Sequence, residues 1–456
     1  MKHTILLLLA AVAMAAGSGW TTPSSSELQR LARSALSENQ QDCTAAIKAL
    51  RGHGEAGLQA LIDLYKNNDR SLNRPDDTPP EVWERYLSAV DAVGKQKDCY
   101  ASRLYWLTDF EQAKTLSRET GKPILSLRLL GQLDEEFSCA NSRFFRTTLY
   151  PNPQVSDYLR DNFVLHWKSV RPVPRITIDF GDGRRLERTI TGNSIHCVLA
   201  SDGSVIDALP GLFSASEFLA GLSNAVKAAK TYETIPETER AKFRASYHKE
   251  RIRDIDREYM NALAELKQPM PALAFSAVPP ANPNARQAGA MAVHKGAVEL
   301  STVKQLVFTI NTDAAGSLVE QMTAPIWSNI ASLYEHQSKL DPVSMQAVRS
   351  KNPIAAASIR VALTKQFSEQ PLTRLITNLE RSIAEDTVRN KFVLHRLIHF
   401  WYANNLAPAD VEELNRKVYA ELFLTPDSDP WLGLLPEGAF SALPNDGIVL
   451  NKSKSN

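Results

Sequence analysis

The sequence predicts an α/β domain flanked by an all-α N-terminal region and an all-α C-terminal region. Between about residues 104 and 230, apolar runs of strand length alternate with segments of helical periodicity. In the flanking regions, 19–103 and 231–456, apolar residues recur at helical spacing. Within the second flank, the proline-rich segment 269–283 opposes helix formation and indicates a linker or crossover.

Composition excludes several classes of protein. The chain has 456 residues, of which 43% are hydrophobic and 23% charged, as in ordinary globular proteins. Its 52 basic residues are balanced by 51 acidic ones. Because no basic excess is available to neutralise phosphates, we expect no nucleic-acid partner.

Residues 1–18 have the pattern of a secretory signal peptide. Lys2 supplies a basic start, Ile5–Ala16 is apolar, and Ala13-Met14-Ala15 fits an A-x-A cleavage site, with Ala16-Gly17-Ser18 as an alternative. The apolar run is too short for a membrane span, which needs about 20 residues. We therefore expect a periplasmic or secreted protein with no stable membrane span after cleavage.

The central region predicts a definite order of elements. A strand, a helix, a second strand, two hairpins and a closing helix are expected at 123–130, 139–148, 162–167, 176–190, 195–206 and 216–229. Asp182 lies between two glycines at the turn of the first hairpin.

Cys139 is the residue with the most evident chemistry. It comes shortly after the first predicted strand and opens a predicted helix, where the dipole and unpaired N–H groups stabilise a thiolate. A thiolate is the nucleophile in disulfide exchange. Three residues later Ser142 replaces the second cysteine of a C-x-x-C pair, and a hydroxyl forms no disulfide. This predicts monothiol chemistry supported by Ser142 and Arg143, unless Cys139 is a relic or half of a structural disulfide.

Several short motifs of residues 104–222 follow one another in a known order. They are Trp106, Phe110, Gly121-Lys122-Pro123, Cys139 with Arg143, Val155, Leu159, Phe163-Val164 and Val198–Gly203. In this order they resemble the thioredoxin-like superfamily, especially its exported thiol:disulfide interchange domains. The resemblance implies a reactive Cys139, a protein or small thiol as partner, and no cofactor.

The loop expected to face the thiol departs from the family pattern. The family places a cis-proline there, whereas this chain has Ser194 or Ile195 at that position. A cis bond before a non-proline residue costs about 2.5–4 kcal/mol, so we expect a trans loop. Nearby, Cys197 is either an unusual resolving thiol or a buried strand cysteine that packs like a small hydrophobic residue.

The other two cysteines, Cys43 and Cys99, flank the N-terminal helical region. Export permits disulfides, and four cysteines allow three complete pairings. A Cys43–Cys99 bridge is one hypothesis; in the loop-entropy model it would add about 4 kcal/mol.

Other candidate motifs predict structure rather than chemistry. His395 and His399 share a helix face, but Arg396 stands where a zincin carries glutamate and no third ligand is evident, so we expect a buried pair and no metal. His166 and His196 lie on predicted strands and are expected in the core. The glycines of segment 52–57 fit a dinucleotide fingerprint but follow a helix, which favours a helix-to-helix turn.

Two functions from different classes are consistent with these observations. The first is a thiol-redox or mixed-disulfide role, in which the protein is a thiol-disulfide oxidoreductase with Cys139 as nucleophile. The second is a non-catalytic scaffold or protein-binding module that uses the thioredoxin-like domain structurally.

Cleavage of the signal peptide can be tested directly. We predict a mature N-terminus near Ala16 or Gly19 in the extracytoplasmic fraction, measured by mass spectrometry of the intact protein. An intact Met1 on protein recovered from the cytoplasm would contradict export.

Overall fold

The protein is described here from a computed structural model. It covers residues 24–65, 70, 73–189, 192–268, 287, 318–352 and 365–431. The predicted signal peptide 1–18 and proline-rich segment 269–283 lie outside these residues. Within them, no helix combines the length and the apolar character that crossing a membrane requires.

The N-terminal region consists of short helices, as its periodicity predicts. They are α1 Ser25–Ser34, α2 Gln40–Gly52, α3 Gly54–Ile62, α4 Pro80–Gly94 and α5 Cys99–Ser102. Their contacts build a separate hydrophobic cluster with an aromatic centre, where the rings of Tyr65 and Tyr86 lie 4.6 Å apart. Arg51 links this cluster to the next region because its Nη1 donates to the carbonyl of Val93 at 2.7 Å and its Nη2 donates to the carbonyl of Trp106.

Strands and helices alternate in the central region. The helices are α6 Phe110–Thr120, α7 Ala140–Phe144 with a π-helical continuation Phe145–Leu149, α8 Pro153–Asn162 and α9 Ala215–Thr234. The strands are β1 Ile124–Leu130, β2 Val164–Arg171, β3 Arg175–Asp179, β4 Arg185–Thr189, β5 Ser194–Leu199 and β6 Val205–Pro210. Each of the expected strands and helices of this region is present.

The four main strands form one mixed sheet in the order β2-β1-β5-β6. Strand β1 pairs in parallel with β2 and antiparallel with β5, and β5 pairs antiparallel with β6. The parallel pair needs a long crossover, which α7 and α8 supply. Strands β3 and β4 form a separate two-stranded hairpin.

Local signals set the approach to β1. Asp109 caps α6 by accepting hydrogen bonds from the backbone N–H groups of Glu111 and Gln112 at 2.9 and 3.1 Å. The helix ends at Gly121, whose φ of +68° is the left-handed conformation that glycine adopts without strain. The chain therefore turns directly into the central strand.

All regular secondary structure in the described part of the C-terminal region is helical. It contains α10 Glu237–Glu265, α11 Leu318–Thr323, α12 Ile326–Tyr334 followed by a 3-10 turn Glu335–Ser338, α13 Pro342–Ser350, α14 Lys365–Arg389 with a π-helical continuation Asn390–His395, α15 Arg396–Ala403, and α16 Val411–Lys417 with a π-helical continuation Val418–Leu422.

A single hydrophobic cluster extends from the sheet into these helices. It joins residues of β1 and β5 to residues of α10, α14 and α15. The predicted boundary near residue 230 is thus not a break in the core.

The turn between α2 and α3 yields a stability prediction. The glycines of segment 52–57 lie at a helix-to-helix turn, as expected. A Cβ at Gly57 would overlap the backbone carbonyl of Leu50. Because a backbone atom cannot swing aside, Gly57→Ala should lower the free energy of unfolding by about 1–3 kcal/mol. Urea unfolding measures the change.

Gly52→Ala is the matched control for that substitution. A Cβ at Gly52 meets nothing within 4 Å, so this variant should be neutral or stabilised by up to about 1 kcal/mol. Equal unfolding midpoints for the two variants would contradict the close packing of α2 on α3.

Candidate functional site

Cys139 lies where the sequence places it, shortly after β1 and at the N-terminal end of α7. Its backbone N–H donates to the carbonyl of Leu130, the last residue of β1, at 3.1 Å. It is the residue immediately before α7, and its own carbonyl accepts the N–H of Arg143 at 3.1 Å. The strand end and the helix start therefore fix this residue through its backbone.

The thiol of Cys139 is completely buried, with 0% of the residue exposed. Its Sγ donates to the backbone carbonyl of Asn193 at 3.8 Å. Asn193 directly precedes β5. The residue that contacts the thiol therefore comes just before Ser194 and Ile195, where the loop facing the thiol is predicted. No cis peptide bond occurs among the described residues, as expected for a loop without proline.

The C-terminal region covers this loop. The hydroxyl of Tyr419 donates to the carbonyl of Asn193 at 2.9 Å, and the Asn193 amide donates to Oγ1 of Thr425 at 3.1 Å. Tyr419 is itself fully buried. The residue that faces the thiol is thus held on its other side by the segment that follows α16.

Ser142 and Arg143 stabilise local structure around Cys139. The Ser142 hydroxyl donates to the carbonyl of Cys139 at 2.9 Å. Arg143 donates to Oγ1 of Thr189 at 2.7 Å, which connects α7 to the end of β4. Asn141 adds a side-chain hydrogen bond to the carbonyl of Gly192. These contacts position the loop before β5 against the start of α7.

Ser194, Ile195 and Cys197 all lie within β5 and are buried. Neighbouring residues of a strand point to opposite faces of a sheet. His196 contacts Phe145 and Tyr150, which belong to the α7 side, with ring centroids 4.6 and 6.0 Å apart. Cys197 therefore faces away from that side, and burial raises its thiol pKa to about 12. This arrangement does not support Cys197 as a resolving thiol.

The hypothesised Cys43–Cys99 bridge does not form in the structure. None of the four cysteines, which all lie in the described part of the chain, takes part in a disulfide. Cys43 donates to the carbonyl of Ala35 at 3.2 Å, whereas Cys99 is buried and donates to the carbonyl of Leu104 at 3.4 Å. Each sulfur therefore donates to a nearby backbone carbonyl: Cys43 to the end of α1 and Cys99 to the chain that follows α5.

A second buried cluster of polar side chains joins β6 to two C-terminal helices. Asp207 of β6 accepts hydrogen bonds from Nε2 of His395 at 2.9 Å and from the hydroxyl of Tyr247 at 2.6 Å. His248 of α10 and His399 of α15 approach each other with their Nδ1 atoms 2.7 Å apart. Asp207, His248 and His399 each offer a ligand atom within 4.8 Å of the other two.

Burial controls the charges in this cluster. It lowers the pKa of His248 to about 4 and that of His399 well below its ordinary value. Burial alone would raise the pKa of Asp207, but His399 and His395 outweigh it and keep the pKa below the usual range. Asp207 is therefore an ionised carboxylate, hydrogen-bonded by His395 and Tyr247.

Sequence reasoning identified only two members of this cluster. The four-residue spacing of His395 and His399 placed them on one helix face, and both are buried as expected. His248 and Asp207 carry no local signal, because a histidine in a charged helix and an aspartate in an apolar strand acquire meaning only through their neighbours.

The chain was compared with known proteins. No protein-family model, no curated protein and no solved structure matches it.

The buried histidine of β5 yields a prediction for stability against pH. His196 is fully buried between Phe145, Tyr150 and Phe218, and burial lowers its pKa from 6.5 to about 3. The unfolded chain therefore takes up a proton more readily. The contribution of His196 to the free energy of unfolding is complete above pH 6.5 and is lost as the pH falls toward 3. The loss is about 2 kcal/mol at pH 5.

Urea unfolding at several pH values tests this dependence. His196→Gln should reduce the loss of stability between pH 7 and pH 5 by about 2 kcal/mol. Val198→Ala, in the same buried strand, is the control. It should lower the free energy of unfolding equally at every pH. An unchanged pH slope in His196→Gln would contradict a neutral buried imidazole.

Proposed function

We propose that this protein is a non-catalytic scaffold in which the α/β domain is a structural core for the helices around it. One observation carries the proposal: Cys139 is 0% exposed, and Asn193, which faces its sulfur, is held by Tyr419 of the C-terminal region. The proposal retains the predicted export to the periplasm or outside the cell.

The placement of the thiol supports the resemblance to thioredoxin-like domains. Cys139 follows a central strand and opens a helix, and Asn193 precedes the strand next to it. The resemblance implies a reactive thiol at Cys139 and places the facing loop at Ser194 or Ile195, directly after Asn193. We therefore propose a thioredoxin-like domain that keeps the geometry of the thiol site but in which partners cannot reach the buried thiol of Cys139.

The chemistry of a buried thiol favours the structural role. Reactive cysteines occupy partly exposed, electropositive sites, whereas buried structural cysteines are inert. The hydroxyl of Ser142 donates a hydrogen bond to the carbonyl of Cys139, and Cys197 faces the other side of the sheet. Neither supplies a second sulfur to release a mixed disulfide.

A monothiol role is the second candidate, and a specific observation favours it. Cys139 is the residue before α7, as in an activated thiol site, and the same short helix carries Arg143. This role requires the segment around Tyr419 and Thr425 to move away from Asn193 before a partner can reach the sulfur.

Alkylation of the native protein separates the two functions. In the scaffold, Cys139 should react with iodoacetamide about 100-fold more slowly than in urea, because labelling must wait for local opening. Cys43, which is only half-buried, should react faster than Cys139 in the same sample. Peptide mapping after timed quenching gives the individual rates.

Substitution of the covering residue provides the matched control. Tyr419→Ala removes the ring and hydroxyl over Asn193 and should accelerate labelling of Cys139, while Cys99 in the N-terminal cluster keeps its native rate. Cys139→Ala should leave a folded protein with its properties retained. Native labelling of Cys139 faster than Cys43 would overturn the scaffold proposal and favour the monothiol role.

A further inference from the structure

We propose that Asp207, His248 and His399 form a binding site for one divalent transition-metal ion, with zinc as the probe. The site joins the edge strand of the sheet to helices α10 and α15. It is independent of Cys139 and of the scaffold proposal.

The three ligand atoms converge from separate parts of the chain. Each lies within 4.8 Å of the other two, and all three residues are buried. The Nδ1 atoms of His248 and His399 share a hydrogen bond at 2.7 Å. A metal ion bound by both atoms would replace this hydrogen bond, and the donor's proton would move to its Nε2. Two imidazole nitrogens and one carboxylate oxygen form a donor set that suits zinc and its first-row neighbours, whereas magnesium and calcium prefer oxygen ligands alone.

The charge of the cluster favours a cation. The carboxyl group of Asp207 lies in the core beside the imidazoles of His248 and His399, and all three residues are buried. Buried charges in proteins are paired or coordinate metals. A divalent ion at the meeting point of the three ligand atoms supplies positive charge and occupies the imidazole lone pairs.

Neighbouring groups orient the carboxylate as they do around established metal sites. Oδ1 of Asp207 accepts from Nε2 of His395 at 2.9 Å and from the backbone N–H of Ala208 at 2.7 Å, and Oδ2 accepts from Tyr247. The ring of His248 stacks on Tyr402 with centroids 4.5 Å apart. Such outer contacts fix the ligands in place and strengthen binding.

A small cavity reaches the site. It has a volume of about 80 Å³, and Asp207, His395, His399 and Tyr247 contribute to its wall. A polar space of this size holds a water molecule, which could complete the coordination of a three-ligand site. The cavity also provides a path for the ion to enter.

The experiment uses the full-length chain, stripped with a chelator and then titrated with zinc or with cobalt. One equivalent should bind, with a rise in Tm on zinc addition and a visible cobalt spectrum typical of nitrogen ligands. Magnesium at the same concentration should produce neither effect.

Variants assign the binding to these residues. Asp207→Asn and His248→Ala should each weaken zinc binding at least about 100-fold, and Tyr247→Phe, which removes only an orienting hydrogen bond, about 10-fold. His336→Ala, in the 3-10 turn after α12, should bind like the wild type. Circular dichroism of each stripped variant shows whether it folds.

If Asp207→Asn or His248→Ala fails to fold, zinc binding by the wild type and its weakening in Tyr247→Phe still test the proposal. The proposal is overturned if the wild-type chain binds no stoichiometric zinc and its Tm does not rise on zinc addition. Asp207, His248 and His399 would then form a hydrogen-bonded network without a metal. Zinc binding that persists unchanged in folded Asp207→Asn and His248→Ala, or that is lost in His336→Ala, also overturns the proposal.

Discussion

The architecture depends on the covering of β6, the edge strand of the sheet. All six of its residues are buried, although an edge strand leaves one row of backbone groups unpaired by the sheet. Helix α9 and the π-helical continuation of α14 pack against it, and Tyr247 of α10 donates to Asp207 at 2.6 Å. The N–H of Val205 donates to the carbonyl of Ala409, in the chain before α16, at 2.9 Å. The sheet therefore cannot be separated from the C-terminal helices without exposing an apolar edge.

This covering accounts for the state of both buried sites. At one, Tyr419 reaches Asn193 and closes the surroundings of Cys139. At the other, α10 and α15 bring His248 and His399 against Asp207 on β6. The same burial that makes a thiol inaccessible makes a carboxylate and two imidazoles a strong donor set, because water no longer competes for them.

The departures from the thioredoxin-like pattern are consistent with one another in this setting. A serine at position 142 hydrogen-bonds the backbone of Cys139. The loop before β5, which has no proline, offers the carbonyl of Asn193 to Cys139 and to Tyr419. These contacts stabilise a closed core around Cys139, which is why we propose a structural role for the domain.

The sequence by itself determined the local elements of this protein. The apolar run of β1, the capping residues of α6 and the helical start at Cys139 each follow from residues a few positions apart. The tertiary structure decided which residues meet at each site: Asn193 contacts Tyr419 across 226 positions, and His248 contacts His399 across 151. It also left Cys43 and Cys99 unbridged. Local spacing encodes periodicity and turns, but contacts between distant residues depend on how whole faces pack, which no short pattern contains.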